Sequence, residues 1–152
     1  MLGTSALLAL GLGGGAMIYR HRNRPRVPSH LLQSPVDTIV PRDADAGGLD
    51  IGLDKQLFQQ TQTQPNRKEL VDRLLNTIAS LSLRQFNAKF HQCDVDQREQ
   101  LLNNLLGDTK NVIARRDLMR IRNTLLSMYY TSAVGTDSIA YLLPARYPAY
   151  PK

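Results

Sequence analysis

Apolar residues recur at helical spacing through the middle of the chain, and no every-second-residue alternation of the kind a strand requires persists anywhere. Leu70, Val71, Leu74, Leu75, Ile78 and Leu81 follow one another at intervals of one, three and four, with Lys68, Glu69, Asp72 and Arg73 on the other face. A second stripe, Leu101, Leu102, Leu105 and Leu106, follows Asp94 as a helix cap and is expected to stop at Gly107 in a left-handed cap conformation. A third helix is expected from about Asn111 to Tyr130, with Leu118, Ile121, Leu125 and Met128 inward. Asp50 is expected to cap a short helix through Gln60 that offers Ile51, Leu53, Leu57 and Phe58 for burial, and Phe86 and Phe90 belong to a connecting turn. Pro35 opens a short apolar segment, Val36–Pro41, before a loop at 42–48. From about Tyr141 the prolines Pro144, Pro148 and Pro151, with Tyr147 and Tyr150, set an extended tail. These patterns predict a small all-α domain at 35–152 without internal repeats.

Residues 2–19 carry no charge. As a helix these 18 residues would span roughly 27 Å, close to a bilayer core. Gly3, Gly11, Gly13, Gly14 and Gly15 weaken such a helix, and Gly14 and Ala16 supply the small residues of a leader-peptidase site. Met1–Leu8 resembles the end of a twin-arginine export motif and its apolar stretch, so the expectation is a start upstream with the arginine pair there. Two readings stand for 1–19: an export signal, or an uncleaved anchor that the following arginines would orient with the C-terminal part in the cytoplasm. Residues 20–34, polar and interrupted by Pro25 and Pro28, read as a basic linker.

Charge changes the picture only locally. The 152 residues are 42% hydrophobic and 21% charged, ordinary for a globular chain, with a formal net charge of +6. Arg20, Arg22, Arg24 and Arg26 supply four of those charges; without them 15 basic and 13 acidic residues remain. The basicity is therefore a juxtamembrane cluster and not a nucleic-acid footprint. A single cysteine excludes an internal disulfide framework and any Cys-rich zinc module.

Candidate chemistry is sparse. Gly11–Ala16 fits a dinucleotide GxGxxA spacing with Asp37 about 20 residues on, but no strand precedes it and Arg20–Pro28 replaces the crossover helix, so no cofactor site is read there. Asp43, Asp45, Gly48 and Asp54 fall at positions one, three, six and twelve of a calcium loop, yet Gly47 and the short Asp54 lack the required ligands, so a solvated acidic loop is expected. His91 and Cys93 form too small a set for zinc, and a nucleophilic Cys93 would need His91 as its base. Arg115, Arg116, Arg120 and Arg122 make the one basic helix cluster, interrupted by Asp117 and without aromatic platforms, so a solvated or partner-facing surface is expected. Neither a GxSxG elbow, a Walker loop nor an HExxH occurs. No catalytic, cofactor-binding or metal site is expected in this chain.

Val36-Asp37-Thr38-Ile39-Val40-Pro41-Arg42-Asp43-Ala44-Asp45 and Met128-Tyr129-Tyr130-Thr131-Ser132-Ala133-Val134-Gly135 together resemble the gluconate 2-dehydrogenase subunit 3 family, from about Ser34 to Lys152. Met128 stands where that family usually has glycine, and Leu142–Lys152 lacks its tail glycines. The resemblance implies a non-catalytic small subunit of a periplasmic, membrane-associated dehydrogenase that oxidises a sugar, polyol or sugar acid. Its large subunit would bear FAD, a cytochrome subunit would bear c-type haem, and the small subunit would assist export and maturation of the flavoprotein. Tyr129, Tyr130, Thr131, Ser132, Tyr141, Tyr147 and Tyr150 are the candidate partner interface, since tyrosine offers apolar area with a polar handle. Tyr129 and Tyr130 have the alternative role of closing the domain's own core. The rival reading of the whole chain is a membrane-anchored cytoplasmic adaptor that sets its juxtamembrane arginines on anionic lipids.

Overall fold

Six α-helices and one 3-10 turn make up the regular structure of residues 30–142, which the computed structural model describes with side chains through Asp137; no strand occurs among the described residues. The leader at 1–19, the arginines Arg20, Arg22, Arg24 and Arg26, and the tail from 143 lie outside the described residues.

Helix α1, His30–Ile39, corrects the expected boundary, because it begins inside the stretch assigned to the linker and runs through Pro35. Pro35, sixth of its ten residues, removes the one intrahelical hydrogen bond that an N–H there would donate to the Leu31 carbonyl. In exchange Leu32, Pro35 and Val36 bury one face together. The chain then turns back on itself: Gly48 N–H donates to the Val40 carbonyl at 2.8 Å, and Leu53 N–H to the Gly48 carbonyl at 2.9 Å.

Helix α2, Leu53–Thr63, is preceded by Gly52 in the left-handed region at φ 73°, a conformation glycine adopts without a side-chain clash. Asp50 is therefore not its cap. Its carboxylate accepts from Gly47 N–H at 2.9 Å and meets Arg42 at 3.5 Å, so it braces the preceding turn.

Helix α3, Pro65–Phe86, starts with proline in its first turn and ends at Asn87, which is left-handed at φ 52°. The 3-10 turn Phe90–Gln92 buries Phe90 against the core. Helix α4, Val95–Gly107, opens on a reciprocal capping box in which Asp94 accepts from Gln97 N–H at 2.8 Å. Gly107 is its last helical residue, not a left-handed cap, since the positive-φ glycine is Gly52 and Asp108 follows at φ −72°. Helix α5, Val112–Tyr130, is capped by the Asn111 side chain.

Helices α3 and α5 run antiparallel. Arg67 donates to Thr124 at 2.9 Å, and six residues along α3 Arg73 meets Asp117, seven back along α5. Leu70, Val71, Leu74 and Ile78 of α3 and Leu118, Ile121 and Leu125 of α5 form the centre of the core, completed by Leu53 and Leu57 of α2, Leu101 and Leu105 of α4, and the apolar face of α1.

Helix α6, Ala133–Leu142, replaces the first residues of the expected extended tail. The reason is local: Ser132 caps a proline-free run of ten residues.

Candidate partner interface

The tyrosine segment is a corner between α5 and α6. Thr131 Oγ1 donates to the Ser127 carbonyl at 2.8 Å, closing the last turn of α5. Ser132 Oγ donates to the Tyr129 carbonyl at 2.6 Å and accepts from Gly135 N–H at 3.2 Å, so one hydroxyl ends one helix and caps the next. Thr136 N–H then donates to the Ser132 carbonyl at 3.0 Å, the first turn of α6. Gly135 crosses directly over the end of α5. A Cβ there would lie 2.7 Å from the Tyr129 carbonyl carbon and 2.9 Å from Tyr130 Cα, both backbone atoms that cannot rotate aside. Thr-Ser-x-x-Gly is thus the sequence of a tight helix–helix corner.

The two tyrosines differ in burial. Tyr129 is buried in the core cluster, whereas Tyr130 is 48% exposed with its ring edge-on to Tyr129, centroids 5.4 Å apart and planes at 79°. Thr131 is exposed and Ser132 half-buried, each with its hydroxyl engaged by backbone. Tyr141 stands in the last turn of α6, and Tyr147 and Tyr150 lie outside the described residues.

The acidic loop spends its oxygens on itself. Asp43 accepts from Asp45 N–H at 2.9 Å, Asp50 is held as described above, and Asp54 is buried in the first turn of α2. No group of three histidine, cysteine or acidic side chains fit to hold a metal ion occurs among the described residues. Cys93 is buried, its sulfur 3.2 Å from Ser82 Oγ and 3.5 Å from the Lys89 carbonyl, while His91 is an exposed residue of the 3-10 turn. This arrangement packs the thiol into the core edge. The native thiol is expected to react with a disulfide reagent about 100-fold or more slowly than in the unfolded chain, because reaction waits on opening of the structure; equal rates by thiol titration would contradict this burial.

Sequence reasoning missed the role of Asp117. Grouped at first with the neighbouring arginines, it is 1% exposed and accepts two hydrogen bonds from Arg73, from Nε at 2.8 Å and Nη2 at 3.1 Å. The signal was its spacing, three after Ala114 and four before Ile121, which places it on the buried face of α5. The hydrogen bond to Asp117 holds the Arg73 guanidinium above its ordinary pKa. A raised arginine pKa adds stability that is present below the ordinary arginine range and is lost as pH rises through the raised value.

A mainly apolar recess of about 130 Å³ lies between α1, α3 and the 3-10 turn, lined by Leu31, Pro35, Leu75, Ile78 and Phe90, with Ser34, Lys89 and His91 also on its wall.

No curated protein and no solved structure matches the chain. The family model for gluconate 2-dehydrogenase subunit 3 matches residues 29–145, which takes in α1 with its Asp37 segment, the whole helical core and the Tyr-Tyr-Thr-Ser-x-x-Gly corner. The chain belongs to the gluconate 2-dehydrogenase subunit 3 family, as a non-catalytic small subunit.

Proposed function

We propose that this chain is the accessory subunit of a periplasmic, membrane-associated dehydrogenase that oxidises a sugar, polyol or sugar acid. In this reading an FAD-bearing large subunit performs the oxidation, a c-type cytochrome subunit takes the electrons, and this chain assists export, maturation and stability of the flavoprotein. The match over 29–145 is the observation that carries the reading. The leader at 1–19 is the export element, as a cleaved signal or a retained anchor, and the basic cluster Arg20, Arg22, Arg24 and Arg26 follows it in the sequence. Among the described residues no helix is long and apolar enough to cross a membrane.

The residues after α6 are the second contact element. Pro144, Pro148 and Pro151 restrict the backbone, which lowers the entropy lost when an extended segment is laid across a partner, and Tyr147 and Tyr150 supply contact area. Deleting 143–152 is expected to leave the melting temperature of the helical domain within about 3 °C, since the core residues all precede the cut. The same deletion is expected to weaken capture of the flavoprotein at least about tenfold in a pull-down. Undiminished capture by the truncated chain contradicts the role given to the tail. Reporter fusions at the C-terminus test the compartment: a periplasmic readout is expected, and a cytoplasmic one supports the rival reading as an adaptor on anionic lipid.

A further inference from the structure

The charges of the helical domain are balanced in number and unbalanced in place. Residues 30–142 contain 13 basic and 13 acidic side chains, yet the exposed face of α5 carries Arg115, Arg116, Arg120 and Arg122 with no exposed acid among them. Asp117, the acid of that helix, is buried and engaged by Arg73. None of the four arginines has an ion-pair partner among the described residues.

This pattern works against the helix that bears it. Arg115 stands in the first turn, where the helix dipole disfavours a cation. Arg116 and Arg120 are four apart, a like-charge spacing that destabilises a helix surface. Helix α3 shows the opposite solution, with Lys68 and Asp72 at 2.6 Å and Glu69 and Arg73 at 3.2 Å, both four apart. Between the α5 arginines the same face exposes Val112 at 61%, Met119 at 45% and, at its far end, Tyr130 at 48%. At 0, 7 and 18 residues along one helix these three point the same way.

We infer that the solvent face of α5 is a docking surface for an acidic, apolar-centred patch on the flavoprotein subunit. The inference rests on the subunit reading above and adds to it the surface used and the charge of its partner. Met, Tyr and Arg are the residue types that anchor protein interfaces, and a guanidinium fork pairs carboxylates bidentately. Tyr130 makes this surface continuous with the α5–α6 corner.

The test is the double substitution Arg115→Glu/Arg116→Glu in the full chain, co-expressed with the FAD-bearing large subunit and captured through a tag on the small one. Both substitutions suit the helix dipole, and Arg116→Glu puts a carboxylate four before Arg120 in the favourable order, so the full chain alone is expected to melt at or above the wild-type temperature. Captured flavin is nonetheless expected to fall at least about tenfold, as for charge reversal at an interface. Lys55→Glu and Arg84→Glu, exposed cations on other helices, are expected to leave capture unchanged. Should the glutamate pair fail to fold, Arg115→Gln/Arg116→Gln gives the same reading with a smaller, several-fold loss. Wild-type capture that persists undiminished in the variants overturns the inference and leaves the subunit reading standing. Loss of flotation with phosphatidylglycerol vesicles, with flavoprotein capture intact, overturns it in favour of a lipid surface. A wild-type chain that captures no flavoprotein overturns the subunit reading and the inference together.

Discussion

Truncating Leu125 to alanine is expected to remove about 2–5 kcal/mol of stability. Leu125 is fully buried where α5 faces α1, α2 and α3, with Leu32, Val36, Leu57 and Val71 around it. Those neighbours belong to three separate helices, each held by its own packing contacts, so they cannot all collapse into the space left behind. A domain of this size has about 5–15 kcal/mol of stability in total. The loss is therefore expected to lower its melting temperature by about 10–30 °C, followed by circular dichroism. Leu126→Ala, at the half-buried next position, is expected to cost clearly less. A melting temperature within about 3 °C of wild type for Leu125→Ala contradicts the packing described for the helix junction.

Placing a side chain at Gly135 is the second large effect. The new Cβ meets the backbone of Tyr129 and Tyr130, so the corner opens or α6 detaches; no rotamer relieves it. Gly135→Val is expected to destabilise the domain by about 1–3 kcal/mol and to reduce capture of the flavoprotein, because Tyr130 and everything after α6 change direction. Gly107→Ala is the matched control. Gly107 closes α4 at ordinary helical φ with nothing within 4 Å of a Cβ, so alanine is expected to raise stability by about 0.5–1 kcal/mol. Opposite signs at the two glycines in thermal melts are the result expected. Destabilisation of similar size at both would place the effect in general glycine propensity and not in the corner.

The long helices were legible because burial sets their period. The stripes through Leu70–Ile78, Leu101–Leu105 and Leu118–Leu125 are the residues found in the core, and Asp94 and Asn111 cap the helices they precede. What escaped the pattern has specific causes. Helix α1 was hidden by Pro35, which normally interrupts a helix but here, in mid-helix, is offset by the joint burial of Leu32, Pro35 and Val36. Helix α2 starts on a left-handed glycine, so the capping preference of Asp50 pointed two residues too early. Helix α6 went unread because its ten residues carry no clear apolar stripe, and the tail prolines claimed only its last two, Tyr141 and Leu142.

The corner was legible as a motif and not as a geometry. Tyr-Tyr-Thr-Ser-x-x-Gly marked the family, but that Ser132 serves both helices and Gly135 crosses the end of α5 depends on distances no spacing encodes. Asp117 escaped for a related reason. Its partner Arg73 lies 44 residues away on another helix, so only the position on the buried stripe announced it.

A small subunit that does no chemistry must act through what it holds. The most direct measurement is size-exclusion chromatography of the full chain co-expressed with the FAD-bearing dehydrogenase subunit, read by flavin absorbance and by the amount of each chain in the peak. Co-elution at a fixed stoichiometry is expected, with loss of soluble, active flavoprotein when this chain is omitted. A flavoprotein that folds, reaches the periplasm and turns over unchanged without this chain, while the chain elutes alone, would contradict the account.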